Sequence, residues 1–132
     1  MKLRHLDGWT AARQRNAELY GRLLSEKQVP VVPPASAAFT TRHIYNQFAI
    51  LAPRRDELRQ FLQQNGIGSE VYYPLPLHLQ KCFAGLGYRD GDFPVSERVA
   101  HESLALPIYP ELLPEDIEYV VDTIQAFYRT RT

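Results

Sequence analysis

Two prolines one residue apart, in the run Glu70–Cys82 (EVYYPLPLHLQKC), set the strongest local limit on this chain. Val71, Tyr72 and Tyr73 favour a strand, but Pro74 and Pro76 have no backbone N–H to give to a central ladder. A strand that enters this run must end at Tyr73 and leave the sheet in a stiff, extended form. His78 follows just past that rigid strand end, where a side chain is presented with little conformational freedom left to lose. Strand alternation puts Tyr72 and Tyr73 on opposite faces, one toward the core and one toward a cleft. Aromatic pairs also pack for purely structural reasons, so the residues alone leave both roles open.

Around this run, periodicity supplies the rest. Residues 3–27 carry Leu3, Leu6, Trp9, Ala12, Tyr20, Leu23 and Leu24 at helical spacing with charges between them, predicting one long helix. Three prolines in residues 29–39 make a stiff connector. A first strand is predicted over 43–52, stopped by Pro53, and a helix over 54–65 with Leu58, Phe61 and Leu62 on a narrow apolar face. Asn65-Gly66 ends that helix. A second strand is predicted over 68–73, a short helical turn over 79–84 and a glycine-rich loop over 85–93. Pro94 opens a third helix, residues 104–109 form a short strand interrupted by Pro107, and Pro114-Glu115-Asp116 starts a last helix. That helix places Ile117, Val120, Val121, Ile124, Phe127 and Tyr128 on one face. The order predicts an α+β fold: a small sheet of about three strands with helices mainly on one face, preceded by the long helix.

Composition narrows the function classes. The 132 residues are enough for one domain with a modest core. Fifteen basic residues balance fifteen acidic ones, which gives no reason to expect a nucleic-acid or membrane partner. No apolar run approaches the roughly 20 residues of a membrane span. The charged start, MKLRHLDGW, has no apolar signal segment. A single cysteine, Cys82, allows no internal disulfide and suits a reducing cytoplasm.

Clusters of chemistry-bearing residues are weak. His43, His78 and Cys82 are possible metal ligands, but the His78-x-x-x-Cys82 pair lacks the second close pair of a zinc site. Cys82 with His78 as its base lacks an orienting group and an oxyanion hole, so a half-buried free cysteine is expected. Gly85-Leu86-Gly87 precedes another loop and reads as a surface turn, not a phosphate cradle. Glu97 and His101, four apart on a helix, read as a solvated face.

Several segments together resemble one family. LDGWTAARQRNAELYGRLL, then HIYNQFAIL, then RRDELRQFLQQNGIGSEVYYPLPLHLQ, then GYRDGDFPVSERVAHESLALPIYPEL are similar to the C-terminal small domain of the DegT/DnrJ/EryC1/StrS sugar aminotransferases, which use pyridoxal 5′-phosphate (PLP). The resemblance covers nearly the whole chain. It implies transfer of an amino group, often from glutamate, to a keto sugar that is nucleotide-linked in the expected subgroup. It divides the chain into a linking helix, residues 1–28, and the small domain, residues 29–132. The large domain, which would precede residue 1 and supply the Schiff-base lysine and most PLP contacts, is absent. Lys2, Lys27 and Lys81 are the chain's only lysines, and none has that lysine's sequence context. The chain is therefore expected to be inactive alone and to bind no PLP by itself.

The family's Y-P-x-P-L-H loop faces the cofactor and sugar, which makes His78 the first candidate substrate contact and Tyr73 the second, with Asn46 and Tyr45 weaker. Leu6, Trp9 and Tyr20 are expected to lie exposed where the large domain is missing and to drive self-association. The other reading is a free-standing, non-catalytic ligand-sensing or interaction domain on the same fold. A thiol enzyme is the remaining class. Replacing Cys82 by Ser is expected to leave any activity unchanged, and an assay in which C82S is dead would restore it.

Overall fold

The computed structural model describes Lys2–Thr130; the outermost residues of the two expected segments, Met1 and Arg131–Thr132, lie outside the described residues. A 3₁₀ turn over Lys2–His5 leads into helix α1, Leu6–Glu26. Its buried positions include Thr10, Ala17, Tyr20 and Leu24, spaced seven, three and four residues apart, which is one helical stripe. The connector then returns to the sheet, where Val32 and Leu51 exchange both backbone hydrogen bonds at 2.9 Å.

Strand β1 is Phe48–Leu51, shorter than residues 43–52. The reason is local. The backbone N–H of Tyr45 donates to Nδ1 of His43 at 3.0 Å, and Tyr45 takes a φ of 45°, which no strand contains. Strand β2, Ser103–Leu106, runs antiparallel to β1 with Phe48 opposite Leu106 and Ile50 opposite Leu104. It stops at Pro107, three residues before the expected end.

The expected strand over 68–73 is a correction. Only Glu70 pairs, exchanging hydrogen bonds with Ala105 at 3.1 and 2.7 Å. Two residues away in this register, Gly68 falls opposite Pro107, which has no N–H to continue the ladder. The sheet therefore has two strands, each flanked by a single bridge, and not about three.

Helices α2 (Arg55–Gln64), α3 (Pro94–Glu102) and α4 (Pro114–Arg129) complete the α+β fold. Gly66, at φ 75°, ends α2 as the Asn-Gly pair predicts. One core joins Tyr20 and Leu24 of α1, Phe48 and Ile50 of β1, Leu58 and Leu62 of α2, Leu104 and Leu106 of β2, and the Ile117–Phe127 face of α4. Each fully buried Leu, Ile or Phe contributes about 1.5–3 kcal/mol relative to an exposed one.

Tyr20, expected at the surface, is fully buried. Its ring stacks on Phe48 at 4.8 Å, and its hydroxyl donates to Pro107 O at 3.0 Å. Burial raises its pKa far above the ordinary tyrosine value, with smaller contributions from Tyr109 and Asp116, so the hydroxyl stays a donor. The exposed apolar part of α1 is confined to its start, with Leu6 48% exposed and Leu3, in the preceding turn, 85% exposed.

Arg55 sits on the buried side of α2, where only apolar residues are expected. Its Nη1 donates to Ala100 O at 3.1 Å and Ser103 O at 2.8 Å, and its Nε donates to Asp56 at 2.7 Å. It thus satisfies carbonyls at the end of α3 and the start of β2, which no intrahelical donor reaches. Arg55→Ala is expected to lose about 2–3 kcal/mol. Urea unfolding would show it as a lower midpoint with an unchanged slope; a loss below about 0.5 kcal/mol would mean that water replaces the guanidinium at no cost.

Candidate functional site

Past Glu70 the chain leaves the sheet through Pro74 and Pro76 and folds into two 3₁₀ turns, Leu77–Leu79 and Lys81–Leu86. Gly87, at φ 78°, stops the second turn. The chain then reaches α3, whose first residue is Pro94. His78 lies in the first turn and Glu97 in the start of α3, nineteen residues apart, and the fold brings them together.

Glu97 holds this loop closed. Its carboxylate accepts from the backbone N–H of Phe93 at 3.1 Å, from Gly91 N–H at 3.0 Å, and from His78 Nε2 at 2.9 Å. The contact to Phe93, the residue before the helix, comes from an acid four residues on, one position later than the acid of a capping box. Gly91 adopts φ 92°, a conformation that a side chain would disfavour, as it offers its N–H to the carboxylate. The side chains of His78 and Glu97 are only 8% and 12% exposed, and the His78 ring packs on Phe93 at 4.8 Å. Burial pushes the Glu97 pKa up, but the N–H groups of Phe93 and Gly91 and the His78 ring together outweigh it, so the net shift is down. Glu97 is a carboxylate at neutral pH.

This corrects the reading of Glu97 as a solvated partner of His101: His101 is exposed and Glu97 turns inward to His78. An acid in the first turn after Pro94 was the available signal, since such acids reach back to the chain before the helix.

Two hollows flank the segment. One, of about 290 Å³, is walled by Leu77, His78, Phe83, Leu86, Tyr88, Phe93 and Ser96. The other, of about 250 Å³, lies at the end of the sheet, where Asn46, Gln47, Glu70, Tyr72, Pro107 and Ile108 meet. Asn46 and His78 therefore line different hollows. Tyr73 is 74% exposed, and its ring meets Tyr72 edge-on at 6.2 Å. With no strand at this point, alternation does not place the two tyrosines. Tyr72, not among the expected substrate contacts, is the one that lines a hollow. Tyr45 is packed on His43 at 4.1 Å and against the core.

Cys82 is exposed, not half-buried, and its Sγ lies 3.8 Å from Gln80 while the His78 Nε2 is turned to Glu97. Among the described residues no group of three or more His, Cys, Asp or Glu gathers to hold a metal. Lys27 is paired with Asp122, with Glu118 3.6 Å away, and the Asp122 hydrogen bond is the main cause of its raised pKa. No lysine lines either hollow. Neither of these two hollows therefore fits a lysine-linked PLP.

The model of the DegT/DnrJ/EryC1/StrS aminotransferase family matches residues 1–125. The chain belongs to that family. A Geobacillus stearothermophilus family relative, called a pleiotropic regulatory protein, is 47% identical across 98% of this chain and 35% of its own length. A UDP-N-acetyl-3-dehydro-alpha-D-glucosamine 3-aminotransferase from Acidithiobacillus ferrooxidans is 35% identical across 92% of this chain and 31% of its own. The crystal structure of Streptomyces venezuelae DesV in complex with a ketimine intermediate superposes with a TM-score of 0.87 at 33% identity, covering 96% of this chain and 33% of that one. The chain spans about a third of the length of the relatives it matches.

The lowered Glu97 pKa fixes the sign of a pH effect. A carboxylate depressed in the folded state stabilises above the unfolded pKa, and that stability is lost as pH falls through the folded value. The amide resonances of Gly91 and Phe93 are expected to titrate together, with a midpoint below the ordinary glutamate value of about 4.3. A midpoint at or above that value would dismantle this account of the loop.

Proposed function

We propose that this chain is the C-terminal small domain of a PLP-dependent aminotransferase that transfers an amino group to a keto sugar carried on a nucleotide. The observation that carries the reading is a relative named for amination of a UDP-linked keto sugar, matched across nearly all of this chain but a third of its own length. In this reading residues 1–28 are the linking helix and residues 29–132 the domain. PLP and its lysine belong to the rest of the enzyme, which supplies the electron sink when the cofactor is bound.

The domain's part is to wall the substrate cleft. The loop held by Glu97 presents His78 as the first substrate contact and Tyr73 as the second, and Asn46 contributes from the sheet-end hollow. Tyr45, packed against His43, is the weakest of the four. The chain alone is inactive and binds no cofactor. The exposed residues Leu3 and Leu6 meet the remaining enzyme and, when the chain is isolated, self-associate. No helix among the described residues is long and apolar enough to cross a membrane. The reaction is placed in the cytoplasm, where Cys82 stays a free thiol.

The test is to add PLP to the purified chain, record its absorbance, reduce with borohydride and map the peptides. The expected outcome is no saturable band and no single labelled lysine. Specific labelling of Lys2, Lys27 or Lys81, or amination of a nucleotide-linked keto sugar by the chain alone, would overturn the reading.

A further inference from the structure

We infer that Glu97 is a positioning residue that fixes the His78 ring with its proton on Nε2, so that Nδ1 meets the substrate as a lone-pair acceptor for a sugar hydroxyl. The inference deepens the proposed function and rests on it for the identity of the substrate.

The argument begins with the carboxylate. Ionised, it only accepts hydrogen bonds, and every group directed at it must donate. Gly91 and Phe93 do so through backbone N–H groups. The third group is His78 Nε2 at 2.9 Å, so the shared proton sits on that nitrogen. A neutral imidazole carries one N–H, and the bond made by one nitrogen sets the state of the other. When the ring is neutral, Nδ1 is left with its lone pair.

Nδ1 is also accessible. Among the described residues no hydrogen bond to it is found, and the only buried side-chain nitrogen or oxygen without a partner there is Arg13 Nε. The open edge of an otherwise buried ring is therefore an acceptor. The hollow beside it has walls of Leu77, Phe83, Tyr88 and Phe93, and no lysine or arginine lines it. An ionised phosphate offers that lone pair only further acceptors and finds no cation in the lining. A sugar hydroxyl offers a donor, and its carbon-bound hydrogens suit aromatic walls.

Two measurements separate this inference from the reading beneath it. Nitrogen-15 correlation spectra of the imidazole, taken on the chain at neutral pH, are expected to show a protonated Nε2 and a bare Nδ1 for His78. In Glu97→Ala, with the amide spectrum checked for an intact fold, both forms are expected. A proton on Nδ1 in the native chain, or an unchanged pure tautomer in E97A, overturns the inference.

The second measurement uses the enzyme containing this chain, with UDP-N-acetyl-3-dehydro-glucosamine as probe. His78→Gln keeps a donor for Glu97 but loses the acceptor near the Nδ1 position; His78→Asn does the reverse. H78Q is expected to raise KM about tenfold with little change in kcat, the effect of one lost hydrogen bond, and H78N, which keeps the acceptor but loses the bond to Glu97, to raise KM by less. A purely structural His78 would give the opposite order and overturn the acceptor role. A KM indifferent to both variants, with the tautomer as expected, would sink the substrate contact in the proposed function and leave the tautomer standing.

Discussion

Everything in this fold hangs on one covered face of a four-residue ladder. Two antiparallel strands do not hold together in water by themselves. Here Phe48, Ile50, Leu104 and Leu106 point the same way and are at most 4% exposed, under Tyr20, the Leu58–Leu62 pair of α2 and the apolar face of α4. The polar segments leave from this plate. Asn46 and Gln47 enter β1 at the end where Pro107 and Ile108 leave β2, and Glu70 is pinned to the same edge through Ala105. The sheet-end hollow exists because an antiparallel register brings the start of one strand beside the finish of the other.

The helices were legible because their signal is local. The spacing of Ile117, Val120, Val121, Ile124 and Phe127 needs no partner to be read, and Gly66 marks the end of α2 without reference to anything distant. The sheet was less legible because strand limits depend on what lies opposite. Pro107 shortens the pairing of a segment nearly forty residues earlier, and the His43–Tyr45 contact trades ladder hydrogen bonds for a local one. Tyr20 was misread for the same reason: the carbonyl that its hydroxyl needs is 87 residues away.

The site was half legible. Two prolines made His78 conspicuous, but they carry no information about what its ring meets. Glu97 looked like a helix-surface acid because its four-residue spacing to His101 fits a helix face. Its actual partners come from before the helix, in a turn that only Gly91's positive φ makes possible. Family resemblance named the loop; physical chemistry named the group that holds it.

Helix α1 grips the stretch after β2 by its main chain. Tyr20 donates to Pro107 O, and Asn16 donates to Tyr109 O at 2.9 Å and reaches Leu112 O at 3.5 Å. Carbonyls are present at every residue whatever its side chain. The hydrogen bonds of the joint thus do not depend on the side chains of Tyr109 and Glu111, while Ile108 also packs against the core. Ile108 borders the sheet-end hollow as well, so one side chain serves both the core and the lining of that hollow. The frame there is held by backbone, and the lining is supplied by side chains.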